Sequence, residues 1–237
     1  VMLNTTQALL SSTGKNYIYD YLIIDESSQV GLNTAAVAMS VAKNIVLVGD
    51  SMQLSHIVKS GHKKKLRELF EESKLKRAYS YADKSILDSF KELYNNSIRS
   101  TLLREHYRCD PHIIDFCNKR FYDNKLIIQT KHDNQNGVEI IPSRSHSELE
   151  RTNERQVCEI EETILPNLVL KGVGIIAPYN NQVNLIKKRL KYECIKVETV
   201  HKFQGQENDV IILSTVSDKV KICLLYTSPS PRDGATS

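Results

Sequence analysis

The sequence predicts an α/β protein whose parallel sheets are flanked by helices. Two apolar runs and the segment between them carry that prediction. Tyr21-Leu22-Ile23-Ile24 is a short apolar run that ends abruptly in Asp25-Glu26-Ser27-Ser28-Gln29. A run of this length closed by a turn signal reads as a buried strand of a parallel sheet. Asn44-Ile45-Val46-Leu47-Val48 repeats the design about twenty residues later and runs into Gly49-Asp50-Ser51-Met52-Gln53-Leu54. Between them, Leu32 to Ala42 is alanine-rich and suits a helix. Strand, helix and strand in this order form a βαβ unit.

Ligands of open α/β sheets sit beyond the carboxyl ends of the strands. Asp25 and Glu26 therefore emerge at the ligand edge. Successive strand residues point to opposite sides, so the two carboxylates can divide labour. Asp25 can hold a Mg²⁺ through its water shell, and Glu26 can orient or deprotonate an attacking water. A solvated acidic turn is the plainer alternative for the pair. Gly49 permits a tight exit from the second strand. Gln53 offers a donor and an acceptor, which suits sensing a phosphate or a water.

Asp25-Glu26-Ser27-Ser28-Gln29 followed by Val48-Gly49-Asp50-Ser51-Met52-Gln53-Leu54 resembles motifs II and III of superfamily 1 helicases. The resemblance is to the branch that includes the nonsense-mediated-decay helicases and their bacterial relatives. Two later stretches extend it. Leu103-Arg104-Glu105-His106-Tyr107-Arg108-Cys109-Asp110-Pro111 resembles motif IV, and Val197 to Ile212, with Thr199-Val200-His201-Lys202-Phe203-Gln204-Gly205-Gln206-Glu207 inside it, resembles motif V. The resemblance implies two RecA-like P-loop NTPase domains, the first incomplete, with ATP and Mg²⁺ as cofactors. It places ATP in the cleft between the domains and single-stranded DNA or RNA across them. Asp50 and Gly205 then join Asp25 in the nucleotide site. Tyr107 stacks on the base, and Glu207 accepts hydrogen bonds from the ribose. Arg108 is the candidate arginine finger, since its planar fork matches phosphate oxygens; a structural ion pair is its alternative. Thr5, Thr6, Thr199 and Tyr179 become contacts to nucleic acid, by hydroxyls on phosphate and an aromatic ring on a base or sugar.

The remaining elements follow in order. Val1 to Thr6 reads as a strand. His62 to Arg77 is mixed in charge, with Leu66, Leu69 and Phe70 spaced to share one helical face; it reads as a solvated helix rather than a phosphate track. Ser85 to Tyr94 reads as a helix with Ile86, Leu87, Phe90 and Leu93 inward. Asn95-Asn96-Ser97 is a polar turn cluster that ends the first domain, residues 1–95. Ser100 to Leu103 is expected as the strand that opens the second domain, residues 96–222. Pro111 to Phe121 is a helix with proline in its first turn. Gly137 to Ile141 is expected as a strand, and Ser147 to Leu165 as one long helix with Val157, Ile160 and Ile164 inward. Gly172 to Ala177 is a buried strand, and Pro178-Tyr179-Asn180-Asn181-Gln182 starts the next helix. Strands at Ile195 to Glu198 and Asp209 to Leu213 complete the pattern.

Composition bounds the rest. The chain has 237 residues, 41% of them hydrophobic and 25% charged, with a formal net charge of +4. That permits binding to a polyanion without demanding it. The five cysteines lie far apart without metal-ligand spacing, which argues against a disulfide framework or zinc and for a reducing, cytoplasmic compartment. No apolar run reaches membrane-spanning length, and no segment demands a protein partner. The one Gly-Lys pair, Gly14-Lys15, lacks the upstream glycine of a phosphate-binding loop. This leads to the expectation of an amino-terminally truncated helicase. Cys223 to Asp233 resembles a translated sequencing-library adaptor, so residues 223–237, including Arg232, are expected to be read-through that replaces motif VI. An ATP-gated nucleic-acid clamp without unwinding is the competing function. A metabolic P-loop kinase leaves the motif V stretch without a role.

Overall fold

The computed structural model describes residues 1–12, 17–58, 60–131, 137–143, 151–190, 192–206 and 208–216. The chain divides after Leu102 into two compact units. Gly14-Lys15 and everything from residue 217 onward, Arg232 included, lie outside the described residues.

The first unit opens with helix α1 (Leu9–Ser12), not with a strand. Among the described residues, 1–6 pair with no strand, and the Thr5 Oγ1 accepts the Ala8 amide at 3.2 Å, which turns the chain into α1. Strand β1 (Tyr19–Ile24), helix α2 (Leu32–Met39) and strand β2 (Ala42–Leu47) then form the expected βαβ unit. The two strands are parallel, with Ile24 opposite Leu47. Helix α2 ends earlier than expected, because Val41 turns inward to a small core with Leu9 and Ala38. The expectation of fully buried strands needs correction. Tyr21 is 67% exposed and Ile23 66% exposed. Residues two apart share a face, and among the described residues nothing covers that face of the two-stranded sheet.

Helix α3 (Ser60–Ser73) carries the mixed-charge stretch. Its basic residues face carboxylates: Arg67 Nε donates to Asp83 at 3.2 Å, and Lys63 lies 3.6 Å from the same group. That is the solvated-helix reading, although Leu69 is more exposed than its spacing predicts. Helix α4 (Ile86–Tyr94) starts on Ser85, whose hydroxyl accepts the Asp88 amide at 3.1 Å and donates to the Asp88 carboxylate at 2.7 Å. Such a cap is worth about 1 kcal/mol. Ile86 and Leu87 are buried as expected.

The second unit begins without the strand expected at Ser100 to Leu103. The pairing starts later, at β3 (Glu105–His106), which lies parallel to β4 (Ile127–Ile128). Residues 101–104 are exposed, and Arg104 instead uses its carbonyl and its Nε to hold the Lys125–Ile127 segment. Helix α5 (Pro111–Phe121) matches its expected span; Asp110 caps it and Pro111 occupies a position that needs no amide donor. Cys109, Ile114 and Cys117 are buried beneath it. Gly137 to Ile141 is not a strand: among the described residues it has no strand partner, and Val138 and Ile140 are exposed.

The long helix expected from Ser147 starts at α6 (Glu154–Glu159), capped by Asn153. It widens into a π-helical turn at Ile160–Ile164 and tightens into a 3-10 turn at Leu165–Asn167. Pro166 lacks the amide that a regular helix would need there. Residues 147–150 lie outside the described residues. Val157 and Ile160 point inward as expected. Strand β5 (Val173–Ala177) is buried along its length. Helix α7 (Asn180–Arg189), β6 (Lys196–Thr199), α8 (Val200–Phe203) and β7 (Val210–Leu213) follow. The sheet order is β6-β5-β7, all parallel. Val157, Ile175, Ile186, Val197 and Ile212 form its core.

Polar groups hold the carboxyl end of this sheet together. The Asn153 amide donates to Gln182 Oε1 at 2.8 Å, and Gln182 Nε2 returns bonds to the Asn153 carbonyl at 3.2 Å and to Ser214 Oγ at 2.9 Å. Asn153 Nδ2 reaches the Val216 carbonyl at 2.8 Å, and Gln156 Oε1 accepts from Ser214 Oγ and the Val216 amide at 2.8 and 2.9 Å. Three chain segments thereby share one buried network, in which Gln182 is 0% exposed. A Gln182→Leu substitution keeps the volume but leaves the buried Asn153 amide without its acceptor and takes one of two bonds from the Ser214 hydroxyl. It should lower the unfolding free energy by about 2–3 kcal/mol, read as a lower urea midpoint at unchanged denaturant slope.

Candidate functional site

The first group of site residues lies at the carboxyl end of β1 and β2. Two bonds join the strand exits: the Ser27 amide and the Ser27 hydroxyl both donate to the Val48 carbonyl, at 2.9 and 2.8 Å. The Val48 amide in turn donates to Ile24 at 2.9 Å. Ser27 and Ser28 are buried, so the carboxylates just before them are turned outward. A Cβ on Gly49 would stand 2.7 Å from Ser27 Oγ and 3.0 Å from its backbone nitrogen. Glycine at this position therefore sets how closely the two exits approach.

Asp25 and Glu26 are exposed. One Asp25 oxygen accepts the Glu26 amide at 2.8 Å, and Glu26 Oε2 accepts from Gln29 Nε2 at 3.1 Å. Glu26 occupies the left-handed backbone region, with φ 49°, which is uncommon outside glycine. On the β2 side, Asp50 accepts the Met52 amide at 2.9 Å and Gln53 Nε2 at 3.1 Å. Lys91 of α4 donates to Ser51 at 2.6 Å and tethers this loop to the unit. The structure thus brings Asp25, Glu26, Asp50 and Gln53 to one sheet edge. Among the described residues no group of three or more His, Cys, Asp or Glu could hold a metal. Mg²⁺ keeps most of its waters and needs one or two carboxylates, so the exposed Asp25 is the residue that could hold it. Thr5 and Thr6 are in the same unit, but not on a strand.

The second group sits on the turn after β3. His106 Nε2 accepts the Cys109 amide at 2.8 Å, a bond that closes the turn around Tyr107 and Arg108. Tyr107 is exposed and donates to the Glu105 carboxylate, which raises its pKa. Arg108 is half-buried. Burial, and then the Arg108 charge, hold His106 below the ordinary histidine value of 6.5. The neutral ring is the form that can accept the Cys109 amide. In the first unit His56 is lowered too, by burial and then by Lys63.

The third group is at the carboxyl end of the three-stranded sheet. Tyr179 follows β5 and Thr199 ends β6, where Thr199 pairs with Ala177. The Thr199 hydroxyl makes no capping bond to α8. Gly205 has φ 74° with no atom within 4 Å of an added Cβ. Glycine suits this backbone conformation, which side chains rarely adopt. Glu207 lies outside the described residues. Sequence reasoning missed Ser27, His106 and the Asn153–Gln182 pair. Each acts through a bond to a chain neighbour that only the fold supplies.

A family model for an AAA domain, AAA_12, matches residues 141–227. An uncharacterized ATP-dependent helicase of Mycoplasma genitalium, MG140, is 29% identical over 230 residues, which cover 85% of this chain and 20% of the relative. An ATP-dependent helicase of Methanocaldococcus jannaschii, MJ0104, is 25% identical over 92% of this chain and 34% of its own. The DNA replication ATP-dependent helicase/nuclease DNA2 of Gallus gallus is 28% identical over 84% of this chain and 20% of its own. The matches span both units, and the motif residues stand at strand exits. The chain is similar to ATP-dependent helicases, as its resemblance to the superfamily 1 motifs implies. It spans between a fifth and a third of the length of these curated relatives, 20% to 34%. Parallel strands flanked by helices are the arrangement of a RecA-like P-loop helicase domain. Among the described residues no helix is long and apolar enough to cross a membrane.

Two measurements test this geometry. His56 and His106 titrate lower folded than unfolded, so between those values the unfolded state binds more protons. Their contribution is complete above about pH 6.5 and is lost as pH falls through the folded values. The urea midpoint should drop between pH 7.5 and 5.5. His106→Gln, which keeps an acceptor for the Cys109 amide, should flatten that drop; an identical pH dependence in the variant rejects the assignment. Second, Glu26→Gly relieves a left-handed backbone that costs an ordinary residue roughly 1–2 kcal/mol. Its stability should equal or exceed that of the parent. A loss above about 1 kcal/mol would mean that the Gln29 bond to Glu26 holds the turn.

Proposed function

We propose that this chain carries motifs of an ATP-dependent helicase that couples ATP hydrolysis to movement along single-stranded DNA or RNA and to duplex unwinding. The observation that supports it best is the junction of two strand exits, which sets Asp25 and Glu26 beside the loop of Asp50 and Gln53. Bound Mg²⁺ would neutralise charge on the phosphates, and Asp25 would hold it through its waters. Glu26 orients the attacking water and accepts its proton. Gln53 reads the terminal phosphate or that water through its amide. Arg108 contributes a planar guanidinium to the phosphate that is transferred, and Tyr107 offers its ring to the base. Glu207 serves the ribose. Thr5, Thr6, Thr199 and Tyr179 hold the strand.

The domain reading goes with this proposal: residues 1–95 form part of one RecA-like domain and residues 96–222 belong to a second. A reducing cytoplasmic, nucleoid or nuclear setting fits the dispersed cysteines.

The test uses the full-length protein. Glu26→Gln should retain nucleotide binding while ATP hydrolysis falls by about two to four orders of magnitude. Arg108→Ala should reduce hydrolysis by roughly three to five orders, and Arg108→Lys should rescue little of it. Parent-like turnover in Glu26→Gln removes Glu26 as the base. Normal turnover in Arg108→Lys makes Arg108 a structural ion-pair residue. Nucleic-acid-stimulated hydrolysis without strand displacement on a tailed duplex would identify a clamp rather than a helicase.

A further inference from the structure

The carboxyl end of the three-stranded sheet carries an arginine that the motifs leave out. Arg151 places its guanidinium carbon 5.4 Å from the centroid of the Tyr179 ring. Its backbone is left-handed, with φ 65°, a conformation that ordinary residues keep only where their surroundings impose it. Those surroundings are visible. Asn153, two residues on, is 1% exposed and is bonded to Gln182 and Val216. Gln182 lies on the first turn of α7, three residues after Tyr179. The same buried pair therefore fixes the approach of Arg151 and the start of the helix that Tyr179 precedes.

The side chain itself stays exposed. Arg155, four residues on, is engaged by Glu159 at 3.2 Å, whereas Arg151 has an aromatic partner. Tyr179 leaves β5 at Ala177, and Ala177 is the register partner of Thr199. A cation, a ring and a hydroxyl thus belong to one sheet edge. A single strand presents a regular row of phosphates with unstacked bases beside it. A guanidinium fork matches phosphate oxygens, and its position over a tyrosine face is favourable before any ligand arrives. We infer that Arg151 is a phosphate contact for single-stranded nucleic acid, adjoining the base or sugar support offered by Tyr179. The inference rests on the reading that the chain acts on single-stranded nucleic acid.

The test is fluorescence anisotropy of a labelled oligothymidylate with the full-length protein across a range of KCl. Arg151→Ala should weaken binding roughly three- to tenfold at the lowest salt, and similarly for other oligonucleotide sequences. It should also make the slope of log K against log salt shallower by about 0.7, the value of one phosphate contact on a single strand. Arg151→Lys should keep the slope and lose part of the affinity. Arg151→Ala with unchanged affinity and slope overturns the inference and leaves the helicase reading standing. A parent protein without salt-dependent oligonucleotide binding overturns both.

Discussion

The carbonyl of Val48 receives two hydrogen bonds from one residue, Ser27, and the first unit's site depends on that clasp. A parallel pair of strands has no turn to keep its ends together. Its carboxyl ends would splay into separate loops without a specific cross-link. Serine supplies one because it is short enough to be buried and carries a second donor beyond its amide. Glycine at position 49 then lets the two backbones close to a distance that any Cβ would prevent. Everything exposed at this edge, from Asp25 to Gln53, inherits its placement from these small residues.

The second unit solves the same problem with longer side chains. Its sheet has three strands, and the exits of β5 and β7 must be tied to the start of α6. Gln182, Asn153 and Gln156 span those gaps, since a carboxamide can donate and accept at once. Burying so many polar atoms is tolerable because the bonds close on one another. A partly satisfied network would be worse than an apolar filling. The network reaches the chain after β7, where Val216 is fully buried in a left-handed backbone, φ 70°. A β-branched residue rarely adopts that conformation, so its two bonds to Asn153 and Gln156 are what hold it there.

Much of the fold was legible because its central strands are short apolar runs punctuated by charge or glycine. β1, β2, β5, β6 and β7 all fall where those runs fall. The failures share a cause. Val1 to Thr6, Ser100 to Leu103 and Gly137 to Ile141 have strand-like composition, yet a strand exists only where another offers its hydrogen bonds. Composition says nothing of the partner. β3 shows the same limit in reverse: Glu105 and His106 look nothing like a strand, but β4 is there to receive them. The site divides similarly. Asp25, Glu26 and Gln53 could be named from residue type and position. His106 could not, because its role is a bond to an amide three residues later that the turn alone creates.

A division of labour follows from where each kind of residue sits. The side chains with candidate chemistry in the first unit, Asp25 and Glu26, are exposed, while Ser27 and Ser28, which follow them and fix the turn, are buried. Exposed groups contribute little to folding, so they can be chosen for what they do to a ligand. Buried ones are constrained by packing and by the cost of an unmade bond. Glu26 marks the meeting of the two demands. Its backbone is bent into the left-handed region by the turn that buries Ser27, and its side chain is presented outward by that same bend. The strain is local, and the clasp to Val48 sustains it. A carboxylate at the mouth of a strand is thus aimed by a serine that never meets the ligand.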